Sequence, residues 1–208
     1  MRILLVSYFI YSSVFLGYNV YRHQEILTMK ILVVGFPKYA DQAVNTSELL
    51  LPRLKRDGIV TALLPVEYDK AISVFNEAID KEKPEAVLIL ALSPFVQRPT
   101  LETYAYNQMS SVQPDEAGVV RQNETIHEDG LPSYQGSHDL FSLQQYVLSQ
   151  GEKVDIAIDP GRFVANAVYY EALYKKNSAV LLHVPSEKNY ALDDTLETVN
   201  RILDYLDY

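Results

Sequence analysis

Val154-Asp155-Ile156-Ala157-Ile158 runs directly into Asp159-Pro160-Gly161-Arg162-Phe163-Val164-Ala165-Asn166, and an apolar pattern of helical period follows. A short apolar run, a Pro-Gly turn and a periodic stretch predict a strand-turn-helix junction. The same alternation recurs along the chain. Strands are expected near Ile31 to Gly35, Val60 to Leu64, Ala86 to Ala91, Val154 to Ile158 and Ala179 to His183. Between and after them, Leu50, Leu51 and Leu54, then Ile72, Phe75 and Ile79, then Leu140, Leu143 and Val147, then Leu192, Leu196, Val199, Leu203 and Leu206 each mark one helix face. Such alternation predicts an α/β domain of three αβα layers around a mixed, mostly parallel sheet. Leu92 to Gly136 fits no such unit; a loop that long is unexpected in a compact domain, so a hairpin or irregular strands are expected there. Ligands of an open α/β sheet bind beyond the carboxyl ends of its strands, where a helix N-terminus favours negative charge. A nucleophile would suit the corner after Ile158, but the residue in the helix start is Ala165.

The chain has 208 residues, of which 48% are hydrophobic, enough to bury one full core and too apolar for disorder. With 18 Lys and Arg against 27 Asp and Glu, the formal charge is −9, which disfavours nucleic acid and anionic membranes because both recruit basic surfaces. There is no cysteine, which excludes disulfides, thiolate metal sites and a cysteine nucleophile. Residues 1–28 stand apart as an apolar extension before the domain of residues 29–208. The stretch Ile3 to Tyr21 is long enough for a bilayer, yet Ser7, Ser12, Ser13, Gly17 and Asn19 interrupt it, favouring a start at Met29 or a dispensable extension over an anchor or signal. A cytoplasmic location is expected on that reading.

The corner Gly161-Arg162-Phe163-Val164-Ala165-Asn166, with Leu182-His183-Val184-Pro185, resembles the nucleophile corner and the His-Val-Pro of the pyroglutamyl peptidases of the pyrrolidone-carboxyl peptidase type. Those are cysteine enzymes that remove N-terminal pyroglutamate from peptides, and the resemblance runs from about Met29 to the C-terminus. It implies their pyrrolidone-carboxylate-peptidase-like fold. It also implies that His183 is the catalytic histidine and that Glu102, in Glu102-Thr103-Tyr104-Ala105-Tyr106-Asn107, is the carboxylate that orients it. Phe36 and Tyr39, in Gly35-Phe36-Pro37-Lys38-Tyr39, would line the pyroglutamate pocket with Phe163 and Val164, Tyr39 standing at a phenylalanine position. A tyrosine hydroxyl there needs a hydrogen-bond partner. Asp129-Gly130 followed by Tyr134 resembles the family's Asp-Gly-Pro-x-x-Tyr.

Three departures bear on chemistry. The cysteine position is Ala165, the glutamine of a Gly-Gln-Ala-Gly-Gly turn falls on Leu92, and an arginine implicated in charge stabilisation falls on Val112. Losing a nucleophile costs many powers of ten, and one oxyanion donor on the order of 10² to 10³. The reading is therefore an inactive homologue that binds a peptide N-terminus or small ligand. The alternatives are a peptidase carrying an inactivating change, and a non-enzymatic assembly subunit that pairs with itself or a paralogue.

Read without the resemblance, His183 is a core-edge histidine bonded to backbone and Glu102 a solvated carboxylate. His127-Glu128-Asp129 and His138-Asp139 read as solvated surface, and no metal or cofactor is expected. Tyr169, Tyr170 and Tyr174 suggest amphipathic packing or an oligomer interface over a stacking platform.

Overall fold

The computed structural model of the chain describes residues 28–40 and 42–207. All of the expected extension except Thr28 lies outside the described residues. In chain order the elements are β1 (Ile31–Gly35), α1 (Thr46–Leu50), β2 (Ile59–Leu63), α2 (Tyr68–Glu82), β3 (Ala86–Leu92), β4 (Thr100–Glu102), β5 (Tyr104–Tyr106), β6 (Ser133–Gln135), α3 (Leu140–Ser149), β7 (Asp155–Ala157), α4 (Val164–Tyr174), β8 (Ala179–Val184) and α5 (Leu192–Leu206). Among them no helix is long and apolar enough to cross a membrane.

The main sheet has the order β2-β1-β3-β8-β4-β7. β2, β1, β3 and β8 are parallel, whereas β4 runs antiparallel to β8 and parallel to β7. Both faces of β1, β3 and β8 are covered, which is why they read as apolar runs, broken only by His183 in β8. Strand alternation then divides the core in two. Leu32, Val34, Val87, Ile89, Ala179 and Leu181 pack with α2 and α4. Ile31, Val33, Leu88, Leu90, Val180 and Leu182 pack with α1, α3 and α5. The three-layer αβα domain with a mixed, mostly parallel sheet is thus as expected. The irregular stretch resolves into β4 and the antiparallel pair β5 and β6, which packs on α4.

Two expectations are trimmed by backbone chemistry. Pro52 has no N–H to continue α1, so the helix ends at Leu50 and a single 3₁₀ turn carries Leu51–Arg53. Of the two readings of the α4 tyrosines, inward packing is the one observed for Tyr169 and Tyr170, which are fully buried with their hydroxyls donating to the carbonyls of Glu102 and Leu131.

Two asparagines tie the long excursion between β5 and β6 to this frame. Asn166, wholly buried in the first turn of α4, accepts from Tyr106 N at 2.9 Å and donates to the carbonyls of Tyr106 and Gln108. Asn107 accepts from the amides of Ile126 and His127 and donates to His127 O. A methyl group at Gly130 would collide with the Tyr170 hydroxyl, so a glycine is required at that close approach.

Glu171 completes the attachment. It is 2% exposed, and its carboxylate accepts from Asn76 Nδ2 at 2.8 Å, pairs with Lys175 Nζ at 3.2 Å and meets the His127 ring, which stacks on Tyr174. His127 is therefore a packed anchor and not solvated surface. Burial alone would raise the Glu171 carboxyl, but the hydrogen bonds from His127, Asn76 and Lys175 outweigh it and hold the group below its usual 4.5. A depressed carboxyl contributes stability that is present above its unfolded value and lost as pH falls through the folded one. The wild type should therefore melt above Glu171→Gln at pH 7, and the gap should shrink on acidification below 4.5. Calorimetric melting temperatures from pH 7 to pH 3 check this, and a gap independent of pH would contradict it.

Candidate functional site

Alternation along β8 places His183 on the same face as Ala179 and Leu181, the face that carries α4. On β4, Leu101 belongs to the opposite core, which leaves Glu102 on the α4 side. Thr100 is directly opposite His183 and Glu102 is opposite Leu181, so His183 and Glu102 are diagonal neighbours across an antiparallel pair. Long side chains reach across such a diagonal, and His183 Nδ1 lies 2.8 Å from Glu102 Oε1.

The pair is buried: Glu102 is 2% and His183 9% exposed. The solvated carboxylate and the backbone-bonded core-edge histidine expected from the residues alone are both corrected, because β4 turns back against β8 and closes over them. With Nδ1–H donated to the carboxylate, the neutral ring keeps Nε2 as an acceptor, which is the tautomer a general base needs. Glu102 Oε2 is buried and has no hydrogen-bond partner among the described residues. Tyr169 lies beside Glu102, and burial, then the Glu102 charge, push its phenol well above its ordinary value.

Ala165 sits half-buried in the first turn of α4, which packs on β8 and β3. The turn before it is built by Gly161 at φ +76, in the left-handed region that favours glycine, and by Asp159, which accepts from Gly161 N and pairs with Arg162. The N-cap Phe163 has no capping side chain and the first turn carries no acid. The positive end of the α4 dipole is thus uncompensated at this corner.

The aromatic residues expected to line a pocket meet each other here. The rings of Tyr39 and Phe163 are 5.3 Å apart, and Tyr68 packs edge-on to Phe163 at 5.4 Å. The Tyr39 hydroxyl finds its partner in Pro114 O, and burial, then the charges of Asp115 and Glu116, raise its pKa. Phe36 and Val164 are buried in the core beneath. Leu92 ends β3, half-buried, with Val184 alongside. Val112 is 99% exposed, so its side chain adds no contact to the site.

Sequence reasoning missed Tyr68, whose hydroxyl donates to Arg162 O, because nothing in its local pattern marks it off from a core residue at a helix start. It also missed Thr46, which donates to Pro185 O and ties α1 to the chain just after His183. Among the described residues no group of three or more His, Asp or Glu could hold a metal ion. His138 is occupied with Ser178 Oγ at 2.8 Å, and burial lowers its pKa. A cavity of about 260 Å³ exists elsewhere, walled by Thr103, Gln135, His138, Leu140, Phe141 and Ile156, and none of the aromatic corner or His183 lines it.

Removing one member of a buried hydrogen-bonded pair leaves the other without its partner, at a cost of about 1 to 3 kcal/mol, while removing both spares part of that cost. In urea denaturation, His183→Ala and Glu102→Ala should each destabilise strongly, and the double variant should be at least about 1 kcal/mol more stable than additivity predicts. Additive losses would contradict the pairing.

The sequence model of the pyroglutamyl peptidase family matches residues 29–195. Pyrrolidone-carboxylate peptidase of Streptococcus suis is 29% identical over 167 residues, covering 76% of this chain and 78% of that protein. The protein of the same name from Thermococcus kodakarensis is 25% identical over 191 residues, covering 85% and 93%. In fold the chain is similar to a point variant of pyrrolidone carboxyl peptidase from Pyrococcus furiosus, with a TM-score of 0.79, 21% identity, and 85% and 97% of the two chains covered. Pyroglutamyl peptidase I from Bacillus amyloliquefaciens superposes equally, at a TM-score of 0.79 and 21% identity, covering 86% and 94%. A buried His–Glu pair at the end of a mixed sheet, beside an uncapped helix start and within a sequence the family model spans, leads to one assignment: the chain belongs to the pyroglutamyl peptidase family.

Proposed function

We propose that this protein is a catalytically silent member of its family, which receives a peptide N-terminus or a small ligand at the α4 corner and does not cleave it. One observation carries the reading: the chain has no cysteine and places Ala165 in the first turn of α4, while the His183–Glu102 pair stays fully built.

Acyl-enzyme chemistry needs a nucleophile whose proton the histidine takes and returns. A methyl group offers neither a lone pair nor a proton, and losing a nucleophile costs roughly six powers of ten in rate. The supporting electrostatics are thin as well. The Leu92 side chain has no hydrogen-bonding group for a substrate, and Val112 carries no charge and lies exposed. What the corner retains suits binding: an oriented imidazole, the positive end of a helix, and aromatic rings. No cofactor enters this reading, and we place the protein in the cytoplasm.

The intact pair also favours a second reading, a peptidase silenced by the change at Ala165 alone. The assembly reading is weaker, since two of the tyrosines that suggested an interface are buried within the chain. Hydrolysis of a fluorogenic pyroglutamyl amide separates the first two. Neither the wild type nor a folded Ala165→Cys variant should cleave it, because Leu92 and Val112 are unchanged in both. Cleavage by the variant alone would establish the silenced peptidase, and cleavage by the wild type would defeat both readings.

A further inference from the structure

We infer that β2 is a self-pairing edge: two copies of the chain join antiparallel at Thr61 across a two-fold axis, and their main sheets run together into one. Among the described residues β2 ends the main sheet, with β1 on its inner side. Ile31 N donates to Gly58 O and Leu64 N donates to Gly35 O, both at 2.9 Å, so the alternation of a parallel pair turns the backbone groups of Val60 and Ala62 toward β1 as well. Those of Thr61 and Leu63, with the carbonyl of Ile59, face outward. The Ile59 amide is already taken by Arg56 O.

Proteins blunt such edges with short strands, charges, proline or a bulge. β7, at the other end of the sheet, is three residues long and carries an exposed Asp155. β2 has none of these devices: the five residues Ile59-Val60-Thr61-Ala62-Leu63 are uncharged and pair with β1 without a break. Val60 and Ala62 pack on the α2 side, which leaves Thr61 exposed and Leu63 45% exposed on the opposite face. The strand itself selects a second copy as its partner. In an antiparallel register centred on Thr61, that residue exchanges both backbone bonds with its own copy, and Leu63 N reaches Ile59 O on either side of the axis. Thr61 then meets Thr61, Leu63 meets Ile59 and Val60 meets Ala62, so each cross-strand pair joins like with like. Beyond the paired stretch the same register carries Lys55 of one copy toward Glu67 of the other, on both sides of the axis. An isologous contact of this kind closes at a dimer. It involves neither the α4 tyrosines nor the ligand reading of the corner.

The test compares the full chain with Thr61→Lys and Thr61→Glu by analytical ultracentrifugation, and follows amide hydrogen exchange at Thr61 and Leu63 against protein concentration. Because the Thr61 side chain is exposed, both variants should keep the fold, which circular dichroism checks. The expected wild type is a reversible dimer whose exchange at Thr61 and Leu63 slows as concentration rises. Each variant alone should dissociate at least about tenfold more readily, since like charges meet on the axis, and an equimolar mixture should regain the dimer as a lysine faces a glutamate. A wild type that stays monomeric up to about 1 mM would overturn the inference. So would a dimer that neither variant weakens, or variants whose mixture recovers nothing. Exchange at Thr61 and Leu63 that ignores concentration would overturn it too: slow exchange would put another segment of the same chain on the edge, and fast exchange would leave the edge bare.

Discussion

The hydrogen bond from His183 to Glu102 is the constraint on which the rest of the site depends. It joins two residues that sit diagonally across β8 and β4, and it exists because β4 runs against the direction of the other core strands. A parallel strand in that place would need a crossover of a dozen or more residues and could not return so directly from β3. The pair is also expensive to maintain. Both groups are almost wholly withdrawn from water, and the second carboxylate oxygen has no partner among the described residues. A buried polar pair is weak evidence for stability, since replacing both partners by apolar groups of the same shape can be neutral or stabilising. The proposed engagement of a ligand at this corner would account for its presence beside an uncapped helix start.

Around that pair the scaffold is held by polar side chains used to their full capacity. Asn166 gives the end of β5 two hydrogen bonds at Tyr106 and the chain just beyond it a third at Gln108, in effect a strand partner reduced to one side chain. Asn107 clamps the return of the same excursion at Ile126 and His127, and Glu171 fastens His127 to α2 and α4. The segment that carries Pro114 and Asp115 is thus fixed at both ends. In the same helix, Ala165 occupies the corner that all of these contacts position. The structure is complete around a residue that has no chemistry of its own.

Much of the fold was legible because burial writes itself into period. The runs at β1, β3 and β8 are apolar except at His183 since both sheet faces are covered, and the five helical stripes correspond to helices that bury one or more faces. The mixed region was legible only as an irregularity. Three-residue strands leave too little pattern to assign, and the partners of β4 lie more than fifty residues away in sequence. For the site, the residues alone misjudged Glu102, since its burial comes from tertiary closure, and the resemblance to a family supplied the pairing that local reasoning could not. His127 was misread for the same reason: its partner Glu171 is 44 positions away. Tyr39 was recognised as a pocket residue, but its contact with Phe163 and its bond to Pro114 are facts of three-dimensional placement.

The central claim is that this corner is built for engagement and lacks the means for turnover. The most direct test follows the His183 imidazole by ¹H–¹⁵N NMR while a pyroglutamyl peptide is added in excess and its own resonances are watched in the same tube. The account predicts a low-field Nδ1 proton bonded to Glu102, a ring that shifts as peptide is added, and peptide signals that stay unchanged over days. Release of pyroglutamate would contradict it, as would a His183 ring indifferent to the peptide at every concentration.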